Sequence, residues 1–254
     1  MLQIRVMPCL LLKNSRLVKT VKFKNPNYVG DPVNAVKIYN EKEVDELIFL
    51  DITATLEHRM PNFKIISEIA SECFMPFSYG GGITNLDDMK TIFNLGVEKI
   101  AINSYAVQDP SFITKASERS GNQSIIVSID VKKKKFGTYE VITNSGTKAT
   151  SLDPVEWAKK VESLGAGEIL LTSINRDGTM EGYDLDIIQK VTEAVTIPVI
   201  ACGGAGKLED FALAVQAGAS AVAAGSIVVY HGSVQGVLIN FPTRTELKKI
   251  GVIL

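Results

Sequence analysis

Short apolar runs recur along the chain, each followed by a longer stretch in which apolar and polar positions mix. The runs are residues 4–12, 47–52, 76–79, 99–102, 124–129, 168–173, 197–202 and 219–227. They are rich in Ile, Val and Leu and bounded by Gly, Asp or Asn, as expected of parallel strands buried on both faces. The stretches between them read as helices. Three open with Asp-Pro, at Asp31-Pro32, Asp109-Pro110 and Asp153-Pro154, and others open at Asn85, Asp184 and Gly206-Lys207. Asp caps free N–H groups of a first turn, and Pro is preorganised for the first helical position. Eight strand–helix units predict an α/β fold, a (β/α)8 barrel over residues 1–254. An open doubly wound sheet is the alternative.

An internal repeat favours the barrel. Residues 76–104 align without a gap on residues 198–226. Pro76, Gly81, Gly82, Leu86, Asp88, Gly96, Ala101 and Ser104 meet identical partners, and the same offset pairs Glu46 with Glu168 and Ile52 with Ile174. Two similar halves suit four units on each side of a closed ring. The segment 132–150, KKKKFGTYEVITNSGTKAT, breaks the rhythm and predicts a hairpin insertion. Its lysine run reads as a solvated turn, or secondarily as an anion contact.

Composition narrows the chemistry. In 254 residues, 27 Lys and Arg balance 28 Asp and Glu, which argues against an electrostatic nucleic-acid binder. Only two histidines occur, His58 and His231, both read as surface or loop residues, so acid–base work falls to carboxylates or lysines. No metal site and no cofactor is expected. Cys9, Cys73 and Cys202 form neither a disulfide framework nor a CxxC pair and suit a reducing cytoplasm. The first apolar run is too short for a signal peptide or a membrane span, so a soluble, intracellular protein is expected.

The site of such a barrel lies at the carboxyl ends of its strands. Gly81-Gly82 and Gly203-Gly204 fall after the third and seventh runs, and Asn103-Ser104 and Gly225-Ser226 after the fourth and eighth. These are either tight turns or two phosphate grips, and two grips on one mouth suit a substrate with a phosphate at each end. Asp51, Asp130 and Asp177 collect at strand ends. Asp130 ends the run SIIVSID, where burial can raise its pKa toward a working value; the bland reading is a carboxylate held by lysine or backbone donors. Lys19, placed on a loop after the first run, is a candidate partner for Asp51 or a phosphate. At the opposite end, Arg5, Glu46, Lys99 and Glu168 begin four strands. Alternation turns them inward with Met7, Cys9, Leu11, Ile48, Leu50, Ala101, Asn103, Leu170 and Thr172. They form either a structural salt-bridge cluster or a gate over a passage through the barrel.

The segments MPCLLLKNSRLVK, GDPVNAV, DELIFLDITAT, YGGGI, INSYAV, SIDVK, GAGEILLTSINRDGT, GYD and CGGAGK, in this order, resemble the cyclase subunit of imidazole glycerol phosphate synthase along nearly the whole chain. The resemblance implies a (β/α)8 barrel and a glutaminase subunit docked on the floor as partner. Ammonia then passes the gate and reacts with a bisphosphorylated ribotide at the top, giving imidazole glycerol phosphate. It implies a gate of Arg5, Glu46, Lys99 and Glu168, phosphate sites at Gly82, Asn103, Ser104, Gly178, Gly204, Gly225 and Ser226, and catalytic positions Lys19, Asp51, Asp130, Thr172 and Asp177. One departure stands out. Where the family has Leu-Asp-Val-Lys, this chain has Leu10-Leu11-Leu12-Lys13, so one of two acid–base carboxylates is absent. Thr20, Asn175 and Cys202 replace a family Gly, Asp and Ser. A kept gate with half of the dyad resembles a divergent paralogue that works beside a sugar amidotransferase, supplying ammonia for acetamidino groups of surface polysaccharide. A non-catalytic barrel that binds a phosphorylated ligand is the third alternative.

Overall fold

The computed structural model describes residues 4–232 and 236–252. Eight parallel strands close into a ring: β1 (Arg5–Lys13), β4 (Leu47–Asp51), β5 (Phe77–Gly80), β6 (Lys99–Ile102), β7 (Ile125–Lys133), β10 (Glu168–Ser173), β11 (Val199–Cys202) and β12 (Ala221–Ala224). Pairing of β7 with β10 and of β12 with β1 leaves no edge in the ring, which excludes the open sheet. Helices α1 (Pro32–Glu41), α2 (Phe63–Glu72), α3 (Leu86–Asn94), α4 (Ser104–Gln108), α5 (Ser111–Ser120), α6 (Pro154–Ser163), α7 (Leu185–Thr192), α8 (Glu209–Gln216), α9 (Ser226–Val229) and α10 (Arg244–Lys249) complete the units.

Two hairpins extend strands of the ring beyond it. Strands β2 (Arg16–Val21) and β3 (Lys24–Gly30) continue antiparallel from β1, and β8 (Tyr139–Thr143) and β9 (Lys148–Ala149) continue antiparallel from β7. The second is the insertion expected at 132–150. The first was not expected: Lys19 sits on a buried strand rather than a loop. Other boundaries also move. The eighth run stops at Ala224, because Gly225-Ser226 begins α9. Helix α8 begins at Glu209, and Asp210 accepts from the N–H groups of Gly206 and Lys207 in the turn before it. Asp109, expected as the cap of its helix, lies one residue ahead of the observed cap, Pro110, and accepts from Ser111. The caps at Asp31, Asn85 and Asp153 are as read: each carboxylate or amide oxygen accepts N–H bonds from the first turn.

Two apolar layers follow from strand alternation. Outward residues such as Val6, Leu10, Phe49, Val127, Ile169 and Val222 pack under the helices. Inward residues Met7, Cys9, Ile48, Ala101, Ile126, Leu170, Ile200, Ala221 and Ala223 fill the barrel. Among the described residues, no helix is long and apolar enough to cross a membrane.

Candidate active site

A cavity of about 570 Å³ opens at the carboxyl ends of the strands. Asp130, near the end of β7, is buried in its wall. Asn103 donates to Asp130 Oδ2 at 3.0 Å, and the same amide nitrogen donates to the Ser128 carbonyl at 3.1 Å. Thr172, paired with Asp130 in the β7–β10 register, and Ser128 add hydroxyl donors. Burial, and then the negative charge of Asp177, push the Asp130 carboxyl up from an ordinary 3.8 to about 7; the three donors pull the other way and lose. At neutral pH such a group is close to half protonated and can both accept and give a proton.

Asp177, on the loop after the neighbouring strand β10, pairs with Lys19. The Lys19 ammonium stands 3.6 Å from Asp177 Oδ1, and Thr20 Oγ1 donates to Oδ2 at 2.8 Å. Both charges are buried, so pairing is what makes their burial tolerable. Gly225 makes room for the lysine: a Cβ there would stand 2.5 Å from Lys19 Nζ. Gly178 lets the loop after β10 approach β2, because its Cβ would stand 2.1 Å from the Thr20 carbonyl oxygen.

Asp51 is held differently. Arg59 Nη2 reaches both of its oxygens at 2.8 Å, and the N–H groups of Thr53 and Ala54 donate to Oδ1. Its partner is therefore a nearby arginine rather than Lys19. With its oxygens so occupied, Asp51 fixes the loop after β4 and is poorly placed for proton transfer. The glycines of the proposed grips also answer to the protein. Gly82, at φ +74°, packs on the Arg59 carbonyl, and Gly204, at φ +118°, packs on the Gly182 carbonyl. Both line the cavity, as do Ser104, which opens α4, and Ser226, which opens α9. The first N–H groups of a helix lack partners inside it, so these two starts can receive anions.

Four charges close the other end. Arg5 donates to Glu46 at 2.6 Å and to Glu168 at 3.1 Å, and Lys99 stands 3.2 Å from Glu46 and 2.9 Å from Glu168. Ser78 adds a bond to Glu46 at 3.1 Å. Each cation touches both anions, so the ring is neutral and closed. Above it the inward side chains are almost wholly apolar until the carboxylates at the mouth.

Residues 5–235 match the family model of histidine biosynthesis proteins. The chain belongs to that family. Among its relatives, a Pseudomonas aeruginosa protein provisionally named imidazole glycerol phosphate synthase subunit hisF2 is 50% identical over 97% of this chain and 99% of its own. A Vibrio vulnificus protein, provisionally subunit hisF3, is 48% identical over 98% of this chain and 96% of its own. The imidazole glycerol phosphate synthase subunit of Streptomyces griseus is 45% identical over 89% of this chain and 90% of its own.

Within this histidine-biosynthesis barrel, Lys19, Asp51, Asp130, Thr172, Asp177 and the seven grip positions all line the one cavity, and the four floor residues form one cluster. Leu11 also lines the cavity. Sequence reading missed Arg59, Phe23, Asn144 and Ser145, which share that lining. Arg59 lies eight residues after Asp51, within reach of a local search; Phe23 arrives on the unexpected hairpin, and Asn144 and Ser145 on the expected one, whose reach over the cavity no local pattern reveals. His58 is exposed at the cavity rim, and His231 is exposed on a two-residue strand, Tyr230–His231. All three cysteines are free. Contact with Cys202, together with burial, keeps the Cys9 thiol protonated and unreactive. Among the described residues, no group of three or more His, Cys, Asp or Glu side chains is placed to hold a metal.

Proposed function

We propose that this chain is an imidazole glycerol phosphate synthase cyclase-type subunit, a lyase that uses ammonia supplied by a glutaminase partner. The observation that carries this reading is the axis itself: a closed, neutral charge ring at the floor and a carboxyl poised at about 7 at the mouth, joined by an apolar interior. Ammonia is small and neutral and crosses an apolar passage without the cost of burying a charge. A glutaminase subunit docks on the floor, and a shift of one ring member opens the passage. At the mouth, a bisphosphorylated ribotide lies between the helix starts at Ser104 and Ser226, with its reacting centre beside Asp130. Asp130 takes a proton from the attacking nitrogen and returns one to the leaving group. Lys19 and Asp177 orient the substrate beside it.

Leu11 favours a second reading. A chain that keeps the ring and lacks the second acid–base carboxyl suits delivery of ammonia to another enzyme, such as a sugar amidotransferase. The names of the relatives, hisF2 and hisF3, are those of additional copies and agree with it. One experiment separates the two. Purified protein is given the ribotide and ammonium salt, and imidazole glycerol phosphate is measured. Turnover above background supports the first reading. Its absence, together with copurification of a glutaminase, moves the assignment to the second.

A further inference from the structure

Phe23, in the turn between β2 and β3, meets Gly146, in the turn between β8 and β9. A Cβ built on Gly146 would lie 2.9 Å from Phe23 Cδ2 and 3.3 Å from its Cβ, so the phenyl ring occupies the space that any side chain there would need. The two hairpins hang from β1 and β7, which stand four places apart in the ring, on opposite sides of the mouth. Their tips therefore meet over the cavity that Phe23, Asn144 and Ser145 line.

The β2–β3 tip crosses the mouth from β1 and is tied to the loop after β10, the neighbour of β7. The Phe23 N–H donates to Asp177 Oδ2 at 3.3 Å, and the Lys22 N–H donates to the Asp177 carbonyl at 2.8 Å. The β8–β9 tip is tied to the other neighbour of β7, the end of β6: the Asn144 N–H donates to Ser104 Oγ at 2.9 Å, Ser104 Oγ donates to Asn103 Oδ1 at 3.2 Å, and Asn103 donates to Asp130. Ser145 Oγ donates to the Ile52 carbonyl at 2.7 Å, just past Asp51. An unbroken series of contacts thus runs from Asp177 through Phe23 and Gly146 to Asp130.

We propose that Gly146 is a positioning residue: by leaving room for Phe23 it locks the two hairpins into one arch, and the arch holds Asp177 and the Asn103–Asp130 pair in register over a water-shielded substrate. The proposal rests on the mouth being the substrate site. The arch excludes water from the reacting centre and fixes groups that a free hairpin tip would leave mobile. Gly146 needs no contact with the substrate to do this.

The protein contains its own control. Gly137, in the turn between β7 and β8, has φ +81° against +83° at Gly146, but a Cβ on Gly137 meets nothing within 4 Å. Asn tolerates this left-handed backbone better than other side chains. Gly137→Asn and Gly146→Asn therefore impose similar backbone strain, and only the second drives a side chain into Phe23. Phe23→Trp supplies a fluorescent reporter in addition to the single, buried Trp157.

In the Phe23→Trp protein, acrylamide quenching should rise and emission shift to the red with Gly146→Asn and stay unchanged with Gly137→Asn. With Phe23 retained, ammonium-driven turnover of the ribotide should lose roughly tenfold or more in kcat with Gly146→Asn, KM changing much less, and nothing with Gly137→Asn. Equal shielding of the introduced indole in both variants overturns the arch. A freed indole with undiminished kcat overturns the positioning role. If the unsubstituted protein never turns over the ribotide, the proposed activity fails, and quenching alone then decides whether the arch exists.

Discussion

Leu11 on β1 and Asp130 on β7 line one cavity from strands four places apart in an eight-strand ring. An acid and a base flanking a substrate would occupy these two positions, and here one is a hydrocarbon. Leu11→Asp is expected to raise ammonium-driven cyclase turnover by about 10²–10⁴-fold, the usual worth of one general acid–base group. Steady-state rates of the two proteins check this. A wild-type rate already near that of the variant would show that Asp130 alone carries both proton transfers.

Asp130 makes the rate and the stability depend on pH in a defined window. Its folded pKa of about 7 lies above the ordinary 3.8, so the unfolded chain gives up this proton more readily than the folded one. The folded state is favoured most below about pH 4 by this group, loses that advantage as pH rises to about 7, and changes no further above it. Asp130→Asn removes the effect. The Tm difference between variant and wild type should move in favour of the variant between pH 5 and 7.5, while turnover falls by about 10²–10⁴-fold. Thermal melts across that range, and a rate profile with its limb near 7 in the wild type, test both statements.

The floor ring should separate two activities. Lys99→Met leaves Glu46 and Glu168 sharing only Arg5, and unpairing a buried ion pair costs about 3–5 kcal/mol when burial is complete. Lys99 is 16% exposed, so the loss should fall below that range. In the complex with a glutaminase, glutamine-driven turnover should change severalfold or more, because the passage is no longer closed by matched charges. Ammonium-driven turnover reaches the mouth from solvent and should stay within about twofold of wild type, a contrast read from paired assays with the two nitrogen sources. Equal loss in both would make the ring purely structural.

Gly225→Ala tests how Lys19 is placed. The new methyl would meet Lys19 Nζ at 2.5 Å and Cε at 2.9 Å, both at the flexible end of the side chain. Gly225 has φ −111°, open to any residue, so backbone strain is not the cause of any effect. The lysine should leave Asp177 and the rate should fall by roughly tenfold or more, with a Tm change small beside that of Lys99→Met. A Lys19→Met protein should be equally slow, and adding Gly225→Ala to it should cost nothing further.

Most of the ring was legible because each strand is a short, dense apolar run, and the inward alternation from Arg5 to Leu11 and from Ile126 to Asp130 followed from period two alone. Boundaries erred where chemistry switches without a change in hydropathy, as at Ala224-Gly225, where an apolar strand passes into an apolar helix. The β2–β3 hairpin escaped notice because its second strand, Lys24–Gly30, is polar and exposed over five of seven positions, and the turn before it is held by long-range bonds from Lys22 and Phe23 to Asp177. That same path took Lys19 away from Asp51. The meeting of Phe23 with Gly146 joins segments more than a hundred residues apart and has no local signature.

The floor ring has a further consequence, for how the two halves of the chain recognise each other. Arg5, Glu46 and Lys99 belong to the first half and Glu168 alone to the second. By itself the first half brings two cations and one anion together, an excess of positive charge at a site poorly served by water. The second half supplies the compensating carboxylate. Balance is reached only when the halves join, so the cluster penalises the pairing of two first halves and rewards the native heterologous match. A duplicated architecture that could dimerise through like halves is thereby steered toward closing on itself.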